Sequence, residues 1–246
     1  MFVAASTRCF AEMDFWQALD QIADLEFDKV EFWMDEEGSL KPSEVVANQD
    51  DFLLQLRDKT RLSPIAITLA QDVGEDVFEE LCRIAKTLRV TQIVVPSSPV
   101  GTPFNSEIDR LKTLVDMAAI QGIRVGLRTQ AQSLSGDAHT AVELCQSVKK
   151  LGIAFDPSYF LDERIEETVV DLVAPHTLHV HLRDSTQDKL QVQVGLGHID
   201  YSRLVSQLER QRYNRALSVE ILPGVGDIEN RPLEMRKLRM LVDSLL

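Results

Sequence analysis

The sequence predicts a parallel α/β fold closed as a single-domain (β/α)8 barrel over residues 1–246. Three observations lead there. Short apolar runs rich in β-branched residues recur roughly every 25–40 residues, the length of a β-α repeat. The segments between them carry helical periodicity. No composition shift or Pro/Gly/Ser-rich stretch divides the chain, so one domain is the simplest organisation. A doubly wound sheet is the alternative, but no G-x-G-x-x-G follows the first run, which weakens its dinucleotide-binding version.

The predicted strands are 2–6, 29–34, 64–69, 92–96, 123–128, 153–156, 177–182 and 217–222. Each is nearly all apolar, as parallel strands covered on both faces must be. After the first, Phe15, Ala18, Leu19 and Ile22 make a helical stripe behind Asp14, with Gln17 placed as in a capping box. Ile108, Leu111, Val115 and Ala118 make another after Asn105 and Ser106. Asp137 precedes a helix bearing Ala141, Leu144, Cys145 and Val148. Asp200 precedes one bearing Tyr201, Leu204, Val205 and Leu208. Gly122 and Gly152 fall between a helix and the next strand, where a glycine often ends a helix in the left-handed conformation.

Composition excludes several classes. The chain has 26 Lys and Arg against 39 Asp and Glu, a formal charge of −13. Such a surface repels phosphate backbones, and no basic cluster offsets it, so no nucleic-acid partner is expected. No apolar run is long enough to span a bilayer, so no membrane partner is expected. No basic region precedes a long apolar stretch near the start, so a secretory signal is not expected. Three widely spaced cysteines, Cys9, Cys82 and Cys145, build neither a disulfide framework nor a zinc site, which points to the cytoplasm. A homo-oligomer stays open.

In barrels of this kind functional side chains project from the C-terminal ends of the strands. A charged side chain within an apolar strand needs a reason, because burying it unpaired is costly. Asp156, His181 and Glu220 are such groups on three successive strands. Two carboxylates and an imidazole at one mouth form a candidate metal or acid/base set. Each alone reads more readily as a structural group, a carboxylate paired with a cation or a histidine donating one hydrogen bond; it is their occurrence together at successive strand ends that favours function. Glu31, Trp33, Tyr159, Arg183 and His198 are candidate substrate contacts. Phe32 alternates away from Glu31 and Trp33 and reads as core.

In order and spacing these segments resemble the sugar isomerase/epimerase superfamily of xylose isomerase-like barrels, over nearly the whole chain. Lys29-Val30-Glu31-Phe32 is similar to its second strand. Phe155-Asp156-Pro157-Ser158-Tyr159 resembles its Asp-Pro-Ser-His segment, and His179-Val180-His181-Leu182-Arg183-Asp184 its His-x-His-x-Lys-Asp strand. Gly195-Leu196-Gly197-His198-Ile199-Asp200-Tyr201 resembles its Gly-Glu-Gly-x-Ile-Asp-Phe loop, and Val219-Glu220 its last strand. The resemblance implies a divalent metal (Mn, Mg, Co or Zn) held by carboxylates and a histidine, with Asp156, His181 and Glu220 at three of the ligand positions. It also implies a second, strand-five glutamate acting as proton-transfer partner of Glu220.

Here the chain departs. Leu127-Arg128-Thr129-Gln130 stands where the superfamily reads Leu-Glu-Thr-His, Tyr159 replaces its sixth-strand histidine, and Leu196 its loop glutamate. Arg128 stays protonated and adds repulsion where a carboxylate adds attraction, so the metal site is read as degenerate. Its fork could instead bridge Asp156 and Glu220 as a metal surrogate, or swing outward to bind a substrate anion. Two functions fit. One is a sugar or sugar-phosphate isomerase or epimerase working with Glu220, His181 and Arg128. The other is a catalytically inactive barrel that binds a carbohydrate or an acidic metabolite. A trinuclear zinc site of the DNA-repair type fails on inventory, since only five histidines are present.

Overall fold

The computed structural model describes residues 1–161, 166–226 and 228–246. Eight parallel strands, β1 to β8, close in sequence order into a barrel. They span Phe2–Ser6, Lys29–Met34, Ser63–Leu69, Gln92–Val95, Arg124–Arg128, Gly152–Phe155, Thr177–Leu182 and Ala216–Val219. Around them run helices α1 (Phe15–Asp24), α2 (Pro42–Ala47), α3 (Gln49–Lys59), α4 (Glu75–Thr87) and α5 (Phe104–Ile120). The ring is completed by α6 (Ala138–Ser147), α7 (Glu166–Val173), α8 (Tyr201–Arg210) and α9 (Arg231–Asp243). No helix among the described residues is long and apolar enough to cross a membrane.

Several of the helices begin where short polar side chains satisfy their first amides. Asp14 accepts from the amides of Trp16 and Gln17, Asp137 from that of Thr140, and Asp200 from that of Arg203. Outward faces of the strands pack on the helices; Phe32, for instance, meets Phe15 edge-on at 5.3 Å between ring centroids. This is the apolar half of the alternation, and it leaves Glu31 and Trp33 on the inner face.

Several expected boundaries move by a residue or more, among them those of α5, β6 and β8. The α5 helix starts at Phe104, so Asn105 and Ser106 lie inside it. The last strand stops at Val219, which leaves Glu220 just beyond it, its amide still donating to Leu182 O at 2.8 Å. Gly152 is the first residue of β6 rather than a helix terminator; the left-handed position is taken by Lys150, at φ 75°. Gly152 is needed for another reason: a Cβ there would stand 2.5 Å from Leu178 Cβ on β7. Gly122, at φ 75°, does end its helix as expected.

Two register shifts bear on the barrel interior. One falls between Val30 and Glu31, where β2 meets β3, and the other between Ile153 and Ala154, where β6 meets β7. Each bulge re-aims the chain locally, and they stand beside Glu31 and His179.

Candidate functional site at the barrel mouth

The inner faces build a polar column along the barrel axis. At its base Gln92, the first residue of β4, donates from Nε2 to Nδ1 of His179 at 2.7 Å. That bond assigns the proton of His179 to Nε2, which donates to Glu31 Oε2 at 2.9 Å. His181 donates from Nε2 to Glu31 Oε1 at 2.8 Å, and Thr68 donates to the same oxygen at 2.5 Å. Glu31 and His179 are wholly buried. Burial opposes ionisation of Glu31, but His181 and His179 outweigh it and hold the carboxyl well below its ordinary range. Burial wins at His179 and lowers its pKa, so that ring is neutral. At His181 burial also opposes the charge, but Glu31 and Glu220 prevail and the pKa is raised.

Above this column lies a layer of ions. Asp156 follows β6, and its Oδ1 accepts from Ser158 N at 3.0 Å and Ser158 Oγ at 2.5 Å. Its Oδ2 is paired with Nη2 of Arg183, and the same nitrogen donates to Glu220 Oε1 at 2.9 Å. Arg8, in the 3-10 turn Thr7–Phe10 after β1, donates from Nη1 to that same oxygen at 2.9 Å. Burial opposes the Glu220 charge, yet Arg8, His181 and Arg183 lower its pKa. The Asp156 and Glu220 pair lifts the pKa of Arg183 further above its usual value, although burial works against it. The second oxygen of Glu220, Oε2, is buried with no hydrogen-bond partner, 3.9 Å from His181 Nε2.

Asp156, His181 and Glu220 therefore converge at the C-terminal rim, with Glu31 directly beneath. Arg128 is close by but does not bridge the acids. Its Nη1 donates to Leu69 O at 3.2 Å and its Nη2 to Ala70 O at 3.0 Å, both at the end of β3. The bridging cation is Arg183. It stands two residues beyond His181 on the same strand face, between β6 and β8, so it meets both carboxylates with little reach. Trp33 lies under two guanidiniums, with Arg8 Cζ at 3.9 Å and Arg128 Cζ at 4.8 Å from its ring centroid. The Tyr159 ring covers Arg183 at 5.5 Å. His198 sits apart, lining a cavity of about 180 Å³ with Phe155, Phe160, Ile199 and Asp200. Asp184 organises the loop that carries His198, accepting from the amides of Gly195 at 2.7 Å and Gly197 at 3.1 Å.

Sequence reasoning missed Arg8, Gln92 and Thr68. Arg8 carried one usable signal, its place just after the first strand. The other two are single polar residues in apolar runs, and nothing local distinguishes them.

The donor set implied by the resemblance does not fit a divalent ion in this arrangement. Arg183 Nη2 occupies the space between Asp156 and Glu220, and a fixed cation there opposes a second one. A different grouping, Glu31, His179 and His181, brings three ligand atoms within 4.8 Å of one another. These contacts are already N–H···O bonds, and Gln92 donates to the remaining nitrogen of His179. A metal would have to displace both protons.

Comparison with known proteins agrees with the architecture. A family model described as a xylose isomerase-like TIM barrel matches residues 19–239. The fold is similar to a xylose isomerase-like TIM barrel protein from Mycobacterium smegmatis in complex with magnesium, at 15% identity and TM-score 0.78, covering 99% of this chain and 97% of that one. It is similar to a D-allulose 3-epimerase from Methylomonas sp., at 14% identity and TM-score 0.75, covering 100% of this chain and 98% of that one. An L-ribulose 3-epimerase aligns at 13% identity and TM-score 0.73, covering 100% of this chain and 95% of that one. No curated protein matches the chain.

Proposed function

The chain belongs to the xylose isomerase-like TIM barrel family, and on that premise we propose that its mouth handles a small sugar by metal-independent proton transfer, as an isomerase or epimerase. One observation carries this reading: Glu220 is held ionised through Oε1 by Arg8 and Arg183, while Oε2 has no partner and faces His181. An ionised carboxylate with a free oxygen is a general base.

In this reading Glu220 Oε2 takes the proton from the carbon next to a sugar carbonyl. His181, whose pKa Glu31 and Glu220 raise against burial, hydrogen-bonds the carbonyl oxygen and stabilises the enediolate that forms. The proton then returns from Glu220 to the former carbonyl carbon while the hydroxyl proton of the neighbouring carbon passes by way of His181 to the former carbonyl oxygen, which gives the isomer; return to the original carbon gives the epimer only after the enediolate has turned its opposite face to Glu220. Arg8, whose side chain is 24% exposed against 1% for Glu220, is the group that turns from Glu220 to the substrate on entry. The charges of Arg8, His181 and Arg183 that lower the pKa of Glu220 against burial also weaken it as a base.

The test is solvent exchange. Ketohexoses, ketopentoses and their phosphates are incubated with the protein in D2O and EDTA, and deuterium on the carbon beside the carbonyl is followed by NMR. Exchange is expected to persist in EDTA and to fall about 100-fold or more in Glu220→Gln. Absence of exchange, or exchange that needs added Mn2+, refutes the reading. The ion pairing of Glu220 with two arginines favours a second reading, a barrel that binds a carbohydrate or acidic metabolite without turnover. Saturable binding with no exchange identifies it.

A further inference from the structure

Arg128 is a cation only 7% exposed whose hydrogen-bond partners are all neutral. Leu69 and Ala70 carbonyls hold its inner side. Its outer edge, Nε and Nη2, is closed by a single oxygen, Oε1 of Gln130, at 2.9 and 2.6 Å. Among the described residues no carboxylate forms an ion pair with it. The side edge of a guanidinium is where a carboxylate or phosphate docks with two parallel bonds. Here a neutral amide holds that place, supplying the bonds without the charge.

We propose that Arg128 and Arg8, beside Trp33, form an oxyanion subsite of the mouth, in which a phosphate or carboxylate group of a sugar derivative replaces the Gln130 amide on Arg128. The inference rests on the reading of the mouth as a sugar site and narrows its substrate class to sugar phosphates or sugar acids. Gln130 is partly exposed and follows β5, so its side chain can rotate away while the two backbone carbonyls keep the guanidinium in place. The field at this point is under-compensated. Burial and then Arg8 push the Arg128 pKa down to about 10, and the more distant Glu220 and Glu31 do not restore it. An anion removes that penalty. Arg8 touches both the Trp33 ring and Glu220, so a ligand anchored here presents its carbon skeleton to the Glu220 carboxylate.

The experiment titrates the whole protein with inorganic phosphate, gluconate and glucose, read by calorimetry and by tryptophan fluorescence, since Trp33 is one of only two tryptophans. At least one of the two anions is expected to saturate, and glucose at the same concentrations is not. Stronger phosphate binding assigns a sugar phosphate, and stronger gluconate binding a sugar acid. Arg128→Gln is expected to weaken the anion about tenfold or more. Gln130→Glu places a carboxylate on the same edge; it is expected to weaken the anion as much while raising the melting temperature. If Arg128→Gln does not fold, Gln130→Glu alone decides. Neither anion saturating, or wild-type affinity in either variant, overturns the subsite. A protein that binds the anion but exchanges no proton keeps the subsite and loses the isomerase reading.

Discussion

Arg183 does at residue scale what a metal does elsewhere: it sits between two acids that would otherwise repel. Removing one partner of such a buried group is far more costly than the pair is worth, about 3–5 kcal/mol. Arg183→Met is therefore expected to destabilise the protein by that order in urea melts. Because the space between Asp156 and Glu220 is then open, Mn2+ is expected to recover part of the loss. A variant as stable as wild type, or one indifferent to Mn2+, contradicts this role. The two acids and the histidine beside them were legible in the sequence, because Asp156, His181 and Glu220 each interrupt an apolar run, and burial makes such interruptions meaningful. The identity of their counter-charge was not. Arg128 and Arg183 are both strand-end arginines, and only the lateral positions of β5 and β7 relative to β6 and β8 decide which one reaches. Arg8 lies in a turn and is marked only by its place just after the first strand.

At the scale of elements, α5 is tied to the rim by Glu107. This buried carboxylate accepts from Ser98 N at 3.1 Å, from Ser98 Oγ at 2.6 Å and from Arg110 Nε at 2.8 Å. Burial opposes its charge, but the bonds from Arg110 and Ser98 prevail and lower its pKa. A lowered folded-state pKa means that the contribution is complete above the ordinary glutamate value, about 4.3, and is lost as pH falls through the folded value. Glu107→Gln is expected to cost about 1–3 kcal/mol at neutral pH and to flatten the acid limb of a stability-against-pH curve below pH about 5. An unchanged acid limb would show that Glu107 has no such role. The strands were readable from sequence because both of their faces are covered, which forces apolar runs. The role of Gly152 was not readable, because close approach to Leu178 and helix termination select the same residue type, and only the observed φ separates them.

For the whole molecule, charge and interior pull in opposite directions. A formal charge of −13 lies over the chain, while Arg8, Arg128 and Arg183 gather at one rim. Surface self-repulsion is screened within about 10 Å at 0.1 M salt, whereas buried pairs are screened much less. Raising NaCl from about 10 to about 150 mM is thus expected to raise the melting temperature. A fall would mean that exposed ion pairs, not repulsion, dominate the surface.

The lodged guanidinium also couples two positions of the mouth. Arg128→Glu alone adds a third carboxylate while Arg183 still stands between Asp156 and Glu220. Loss of Arg183 alone leaves those two acids without the cation they share. Each single change thus unbalances the charge of the rim, and only a change at both positions together exchanges one balanced arrangement for another.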